Sequence, residues 1–262
     1  MTTPMLQFDD VSVAFGGLRA LDGVSFTVGE QEIVGLIGPN GAGKTTAFNC
    51  VSGFVRPDTG RVASAGVDLG TLGPHEIVGN GIARTFQGLH LFSSMTVGET
   101  LLTGQHSRRR GIGFFASSLR LPGVRRTEAQ WVAHGREIAD FFSIGQYWDR
   151  MAAELPYGIQ KRADIARAVV SGPRLLLLDE PAAGLNHEAL GELTDLVRTI
   201  RDQFRTAVLL VEHHVAMVMA LCDRVCVLNF GRVIADGKPE DVQRDPMVAE
   251  AYLGTRVVDG DA

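Results

Sequence analysis

Lysine is nearly absent from this chain: of 25 basic residues only Lys44, Lys161 and Lys238 are lysines, so a lysine at a chemical position stands out. Cysteine is also scarce. The three cysteines, Cys50, Cys222 and Cys226, are odd in number and lack the spacing of a metal site, which excludes a disulfide framework and predicts reduced thiols in a core. An excess of positive charge is missing too. The formal net charge of -5 argues against a protein that coats phosphate backbones, so no nucleic acid partner is expected. Long apolar runs are absent, because Leu175 to Leu178 and Ala207 to Val211 are strand-length and far short of the ~20 residues of a spanning helix. Met1 to Phe8 show no basic start followed by an apolar stretch, so no secretion signal is expected.

What is present is ordinary globular composition with one outlier. Of 262 residues, 45% are hydrophobic and 21% charged, which rules out a disordered or collagen-like chain. The 31 glycines are about 12% of the chain against a norm of roughly 7%, pointing to tight turns or to backbone that approaches a ligand closely.

Alternation predicts two half-buried antiparallel strands, one through Val11, Val13 and Phe15 and one through Val24, Phe26 and Val28. Ile33, Val34, Leu36 and Ile37 form an apolar run stopping at Gly38, the pattern of a strand buried on both faces. Val62 to Ala65, Leu175 to Leu178, Val208 to Val211 and Val225 to Leu228 are further strands, the last three separated by helical patterns as in a mostly parallel sheet. The stretch from about Leu101 to Asp149 reads as a helical insertion. Ile159, Ala163, Ala166 and Val170 then share one face of a helix ended by Gly172-Pro173, and Asn229-Phe230-Gly231 reads as a hairpin turn.

Gly38-Pro39-Asn40-Gly41-Ala42-Gly43-Lys44-Thr45 fits the pattern G-x-x-x-x-G-K-[ST], directly after the buried strand and before a helix-compatible segment, Thr46 to Val51. The glycines let successive backbone N–H groups turn inward around phosphate oxygens, and the helix N-terminus adds partial positive charge. Lys44 would neutralise the outer phosphates, and Thr45 would place its hydroxyl on Mg²⁺. Asp179 and Glu180 end an apolar strand at the sheet edge where α/β proteins bind nucleotides. The first would hold the magnesium shell and the second polarise an attacking water. One histidine of the pair His213-His214 follows its strand closely enough to reach a γ-phosphate. Alternation argues against a metal site from this adjacent pair, since neighbours on an extended chain face opposite ways.

Together these residues resemble the ATP-binding subunits of ABC transporters over essentially the whole chain. The resemblance places Phe15 where that family stacks an aromatic on adenine, Gly38 to Thr46 at the Walker A loop, and Gln87 at the Q-loop glutamine that senses magnesium and the membrane subunit. Leu155-Pro156-Tyr157-Gly158 stands at the signature motif, Asp179 and Glu180 at the Walker B aspartate and catalytic glutamate, Ala183-Gly184-Leu185-Asn186 at the D-loop, and His213 at the switch histidine. It implies an α/β fold: a P-loop NTPase (RecA-like) core over 1-87 and 160-235, with an N-terminal antiparallel β-subdomain, an inserted α-helical subdomain over 88-159 and a tail over 236-262.

Phe15-Gly16-Gly17-Leu18, Arg84-Thr85-Phe86-Gln87, the helical insertion and Glu250-Ala251-Tyr252-Leu253-Gly254 make the branched-chain amino acid transport subgroup the nearest match. Relatives importing urea or amides, and less closely the lipopolysaccharide exporter ATPase, share these features. The resemblance implies ATP and Mg²⁺ as ligands, Tyr157 and Gly158 contributing to a nucleotide across a dimer, and a place on the cytoplasmic face of the membrane. The implied partners are a second ATP-binding subunit, two membrane permease subunits and a separate extracytoplasmic substrate-binding protein.

The signature departs from Leu-Ser-Gly-Gly-Gln. Pro156 replaces the serine, losing both its hydroxyl and its N–H, and Ile159 replaces the glutamine unless Gln160 takes over. Because such subunits sandwich ATP head to tail, the altered signature would serve the partner's nucleotide, and unequal sites in a heterodimer are expected. Six arginines between Arg108 and Arg126 occur without an acid; the negative net charge disfavours nucleic acid binding there, leaving a solvated face or a contact for anionic lipid headgroups beside a membrane subunit. A P-loop kinase or GTPase would need an acceptor site or an Asn-Lys-x-Asp guanine motif, and the latter is absent. A chromosome ATPase would need coiled-coil arms, and a translation factor a second ATPase half.

Overall fold

The computed structural model describes residues 3–85, 94–105 and 122–253. The chain divides into two compact units: Met1–Arg84 with Arg174–Ala262, and Thr85–Pro173. The second unit takes in residues 160–173, which the family resemblance grouped with the core.

In the first unit, β1 (Leu6–Phe15) and β2 (Leu18–Val28) pair antiparallel around a tight turn, and β1 also pairs with β4 (Thr59–Ser64), which pairs with β5 (Val67–Asp68). These strands form the order β2-β1-β4-β5. Alternation starts earlier than the sequence pattern suggested, at Leu6 and Phe8, whose side chains are buried. The second sheet has the order β10-β9-β3-β8-β7-β6. β3 (Ile33–Ile37), β7 (Leu175–Asp179) and β8 (Ala207–Val211) are buried at every position, as expected of parallel strands covered on both faces. β9 (Arg224–Asn229) runs parallel to β3, and β10 (Arg232–Gly237) returns antiparallel through the turn at Phe230-Gly231.

The edge strand β6 (Ile82–Arg84) pairs in parallel with β7. At three residues it is too short for a periodicity to reveal. Helices α1 (Lys44–Val51) and α2 (Pro74–Gly79) precede it in the chain. One apolar cluster, including Phe8, Phe26, Leu36, Phe48, Leu177 and Leu209, fills the space between elements of both sheets. Phe8 and Phe26 stack at 4.5 Å between ring centroids, which adds directional packing to burial.

The second unit is built on α3 (Val97–Gly104), α4 (Pro122–Phe141) and α5 (Tyr157–Val169). Thr96 and Glu99 form a reciprocal capping box at the start of α3. Ala163, Ala166 and Val170 are buried as the helical spacing predicts, Ile159 is half-buried, and the buried face widens to include Lys161 and Asp164. Arg167 satisfies Asp164 at 2.8 Å. Of the arginine run, Arg108, Arg109, Arg110 and Arg120 lie outside the described residues.

The chain then continues in the first unit through α6 (His187–Phe204), α7 (Val215–Leu221), α8 (Pro239–Arg244) and α9 (Pro246–Leu253). Asn186 caps α6 by accepting from the Ala189 N–H. Cys50, Cys222 and Cys226 are all buried as free thiols. Among the described residues no helix is long and apolar enough to cross a membrane.

Candidate functional site

Strand β3 delivers the chain to a loop that only glycine can make. Gly38 has φ +150° and Gly43 has φ +106°, and a Cβ would overlap the carbonyl oxygen of Leu228 at the first and that of Ala20 at the second. Pro39, Asn40, Gly41 and Ala42 form the arch between them, braced by the Ala42 N–H donating to Pro39 O at 3.2 Å and the Gly231 N–H donating to Ala42 O at 3.0 Å. Helix α1 begins at Lys44, two residues earlier than its sequence pattern suggested, so Thr45 and Thr46 both lie in its first turn, Thr45 exposed and Thr46 half-buried.

The Lys44 side chain is buried and curls back over the loop, donating to Gly38 O at 2.7 Å and Pro39 O at 2.9 Å. Burial pushes its ammonium below the usual lysine value, and the nearby carboxylates of Glu180 and Asp179 push it back up. A cation held by two carbonyls at the mouth of an amide-lined arch is what a polyanion would meet there.

Asp179 ends β7 and is buried. Its Oδ2 accepts from Nη2 of Arg84, the last residue of β6, at 2.8 Å. Glu180 follows with φ +47°, a left-handed turn that swings its side chain off the strand line, and its N–H donates to Val211 O at 2.9 Å. His213 meets it from the neighbouring strand end: Nε2 and the Glu180 Oε1 are 2.9 Å apart. An ionised carboxylate only accepts, so this contact requires the proton on Nε2. His214 caps α7, and its carbonyl accepts from the Val218 N–H at 3.1 Å.

The remaining sequence-selected residues fall in three places. Phe15, 52% exposed, stands at the β1–β2 turn, beside Leu18 in register. Gln87 lies outside the described residues. Tyr157 and Gly158 form the first turn of α5 in the second unit, with Pro156 at its N-cap and no side-chain cap. Gln160 is turned back on the preceding loop, donating to Leu155 O at 2.7 Å and Ala153 O at 3.2 Å.

Two charged residues escaped the sequence pattern. Arg84 was legible only as part of a motif, and Glu212, buried directly before His213, carried no signal. Neither sits at a distinctive spacing from its partners.

The glycine arch and the Lys44 amine fit a nucleotide's phosphates, and the hydroxyl of Thr45 with the carboxylate of Asp179 supplies hard oxygen donors of the type magnesium takes. Among the described residues no group of three or more His, Cys, Asp or Glu side chains could hold a metal.

The family profile described as ABC transporter matches residues 21–183, and that described as branched-chain amino acid ATP-binding cassette transporter matches residues 232–258. The chain is 40% identical over 254 residues to the high-affinity branched-chain amino acid transport ATP-binding protein BraF of Pseudomonas aeruginosa, covering 97% of this chain and 99% of the relative. It is 41% identical over 254 residues to LivG of Escherichia coli K12, of the same description and with the same coverage. The crystal structure of the ADP conformation of MJ1267, an ATP-binding cassette of an ABC transporter, superposes with a TM-score of 0.84 at 32% identity, over 97% of this chain and all of that one. On the matched length and the shared fold, this chain belongs to the ABC transporter family, as an ATP-binding cassette resembling the branched-chain amino acid transport subgroup.

Proposed function

We propose that this chain hydrolyses ATP to power an importer of branched-chain amino acids or related small polar solutes, docked peripherally on the cytoplasmic face of a membrane. Its partners on this reading are a second ATP-binding subunit, two membrane permease subunits and an extracytoplasmic binding protein. The observation that carries the reading is the convergence of Lys44, Asp179, Glu180 and His213 at the ends of adjacent strands, in a chain about 40% identical to branched-chain amino acid transport ATPases along its length.

Lys44 and the loop amides bind the β- and γ-phosphates, and Phe15 offers its exposed face to the base. Thr45 and Asp179 would hold magnesium, a role the family resemblance also gives to Gln87, and the ion when bound would neutralise charge on the transferring phosphoryl group. Glu180 orients a water toward the γ-phosphorus and accepts its proton, and His213 holds Glu180 and the leaving oxygens in line. Tyr157 and Gly158 present the start of α5 to the nucleotide of a partner subunit. Pro156 removes a donor there, and the Gln160 amide is already committed to loop carbonyls, which supports unequal sites in a heterodimer.

The test is co-expression with the neighbouring reading frames, purification of the complex and reconstitution in proteoliposomes. ATP-dependent uptake of labelled leucine through co-purified permeases is expected. Co-purification with ribosomes or DNA, or a complex whose turnover ignores every branched-chain amino acid and amide tested, overturns the reading.

A further inference from the structure

Glu212 is 3% exposed, and among the described residues no cation pairs with it. Its carboxylate is instead held by backbone amides. Oε1 accepts from the Ala182 N–H at 2.6 Å, and Oε2 accepts from the His213 N–H at 3.0 Å and more weakly from the His214 N–H at 3.4 Å. A buried carboxylate without such donors is costly, so the three amides and the side chain must stay together for either to remain buried.

The two ends of this bracket matter. Ala182 lies two residues after Glu180 and opens the segment that leads into Ala183-Gly184-Leu185-Asn186, whereas His213 is the residue that touches Glu180. The same two segments are also joined by the Glu180 N–H to Val211 O bond and by the register that sets Asp179 beside Val211. Those backbone links stop at Glu180 and Val211. Beyond them, the Glu212 carboxylate ties the turn after Glu180 to the backbone of His213.

We propose that Glu212 is a positioning residue for hydrolysis: it fixes the Glu180–His213 pair by clamping Ala182 and His213 to one rigid carboxylate. The proposal rests on the reading of Glu180 as the residue that directs water. It touches neither nucleotide nor water itself, so it acts on the geometry of others. Because the bracket also ends on the segment after Ala182, a shift of that segment is transmitted to His213 through Glu212.

The test compares Glu212→Gln and Glu212→Asp with wild type and Glu180→Gln in the full chain, reading kcat, KM for ATP, thermal midpoint and amide hydrogen exchange. An amide in place of the carboxylate keeps one acceptor and turns an NH₂ toward a backbone N–H. Glu212→Gln is therefore expected to lower kcat at least tenfold with KM changed less than threefold, and to add little further loss in a Glu180→Gln background. Glu212→Asp, which keeps the charge but retracts it, should fall between. The Ala182 and His213 amides should exchange slowly in wild type and fast in Glu212→Gln. Fast exchange of both amides in wild type overturns the proposal without any variant having to fold. So does a kcat within twofold of wild type, or a loss of kcat that only follows KM and the thermal midpoint. Normal turnover in Glu180→Gln sinks the underlying reading, and the proposal with it; lost turnover there with normal turnover in Glu212→Gln sinks the proposal alone.

Discussion

Nη2 of Arg84 donates to Oδ2 of Asp179 at 2.8 Å, and the two side chains are only 9% and 6% exposed. The other arm of the same guanidinium donates to Asn49 Oδ1 on α1 at 2.9 Å and to Oγ of Ser52, the residue that caps the end of α1, at 3.1 Å, and the group stands over the Phe48 ring. One arginine thus joins the strand that carries Asp179 to the helix that begins at Lys44. The planar fork is suited to this, since it serves partners in two directions at once.

Arg84→Met should therefore unfold more readily than wild type by about 3–5 kcal/mol, because it removes the hydrogen-bonded guanidinium from a buried Asp179. Arg84→Lys restores charge but not the fork and should recover only part of the loss. Urea unfolding of the three proteins checks this. A loss under about 1 kcal/mol in Arg84→Met would mean the pair is not energetically linked.

Glu180→Gln keeps the shape of the side chain and its contact distance to His213 but removes the carboxylate proposed to act as base. Nucleotide affinity should stay within a few fold of wild type while turnover falls by about 10²–10⁴-fold. Equilibrium binding of a fluorescent ATP analogue, set beside phosphate release, separates the two. Turnover near the wild-type rate would remove Glu180 from its role.

Gly38 and Gly41 both have positive φ, at +150° and +79°, yet their surroundings differ. A Cβ at Gly41 meets nothing within 4 Å, whereas at Gly38 it runs into the Leu228 carbonyl. Gly41→Ala should cost only the backbone strain of about 1–2 kcal/mol. Gly38→Ala must also displace a buried strand end, for about 2–5 kcal/mol in all, and should lose nucleotide binding. Equal losses by urea unfolding would contradict the crowding argument.

Burial raises the carboxyl of Asp236 above its ordinary 3.8, against the pull of Arg224 and with some help from Glu32. The folded state then holds this proton to higher pH than the unfolded chain does. Between the ordinary and the raised value, stability from this group falls as pH rises, and it levels off above that window. The free-energy difference between wild type and Asp236→Asn, followed by urea unfolding from pH 3 upward, should decline through the window and then flatten. A difference that grows with pH would reverse the assigned cause.

The glycine loop from Gly38 to Lys44 was legible in the sequence because its physics is local. Gly38, Gly43 and Lys44 are neighbours in the chain, and an apolar run before them with a helix after them is enough to define the turn. The parallel strands were legible for a similar reason, since burial on both faces leaves an unbroken apolar run. Strand β6 was not, because three residues carry no period. Glu212 was invisible: one acid after an apolar strand looks the same whether solvated or buried, and its partner Ala182 lies 30 residues away.

The sequence by itself determined the α/β class, the loop that can wrap a phosphate and the scarce lysine placed in it, because backbone conformation and burial periodicity are written in adjacent residues. Only the tertiary structure decided which groups compensate one another's charge. Strand order sets Arg84 beside Asp179 across 95 residues and Glu180 beside His213 across 33, and a buried charge is stable only where the fold brings its counterpart within hydrogen-bond reach.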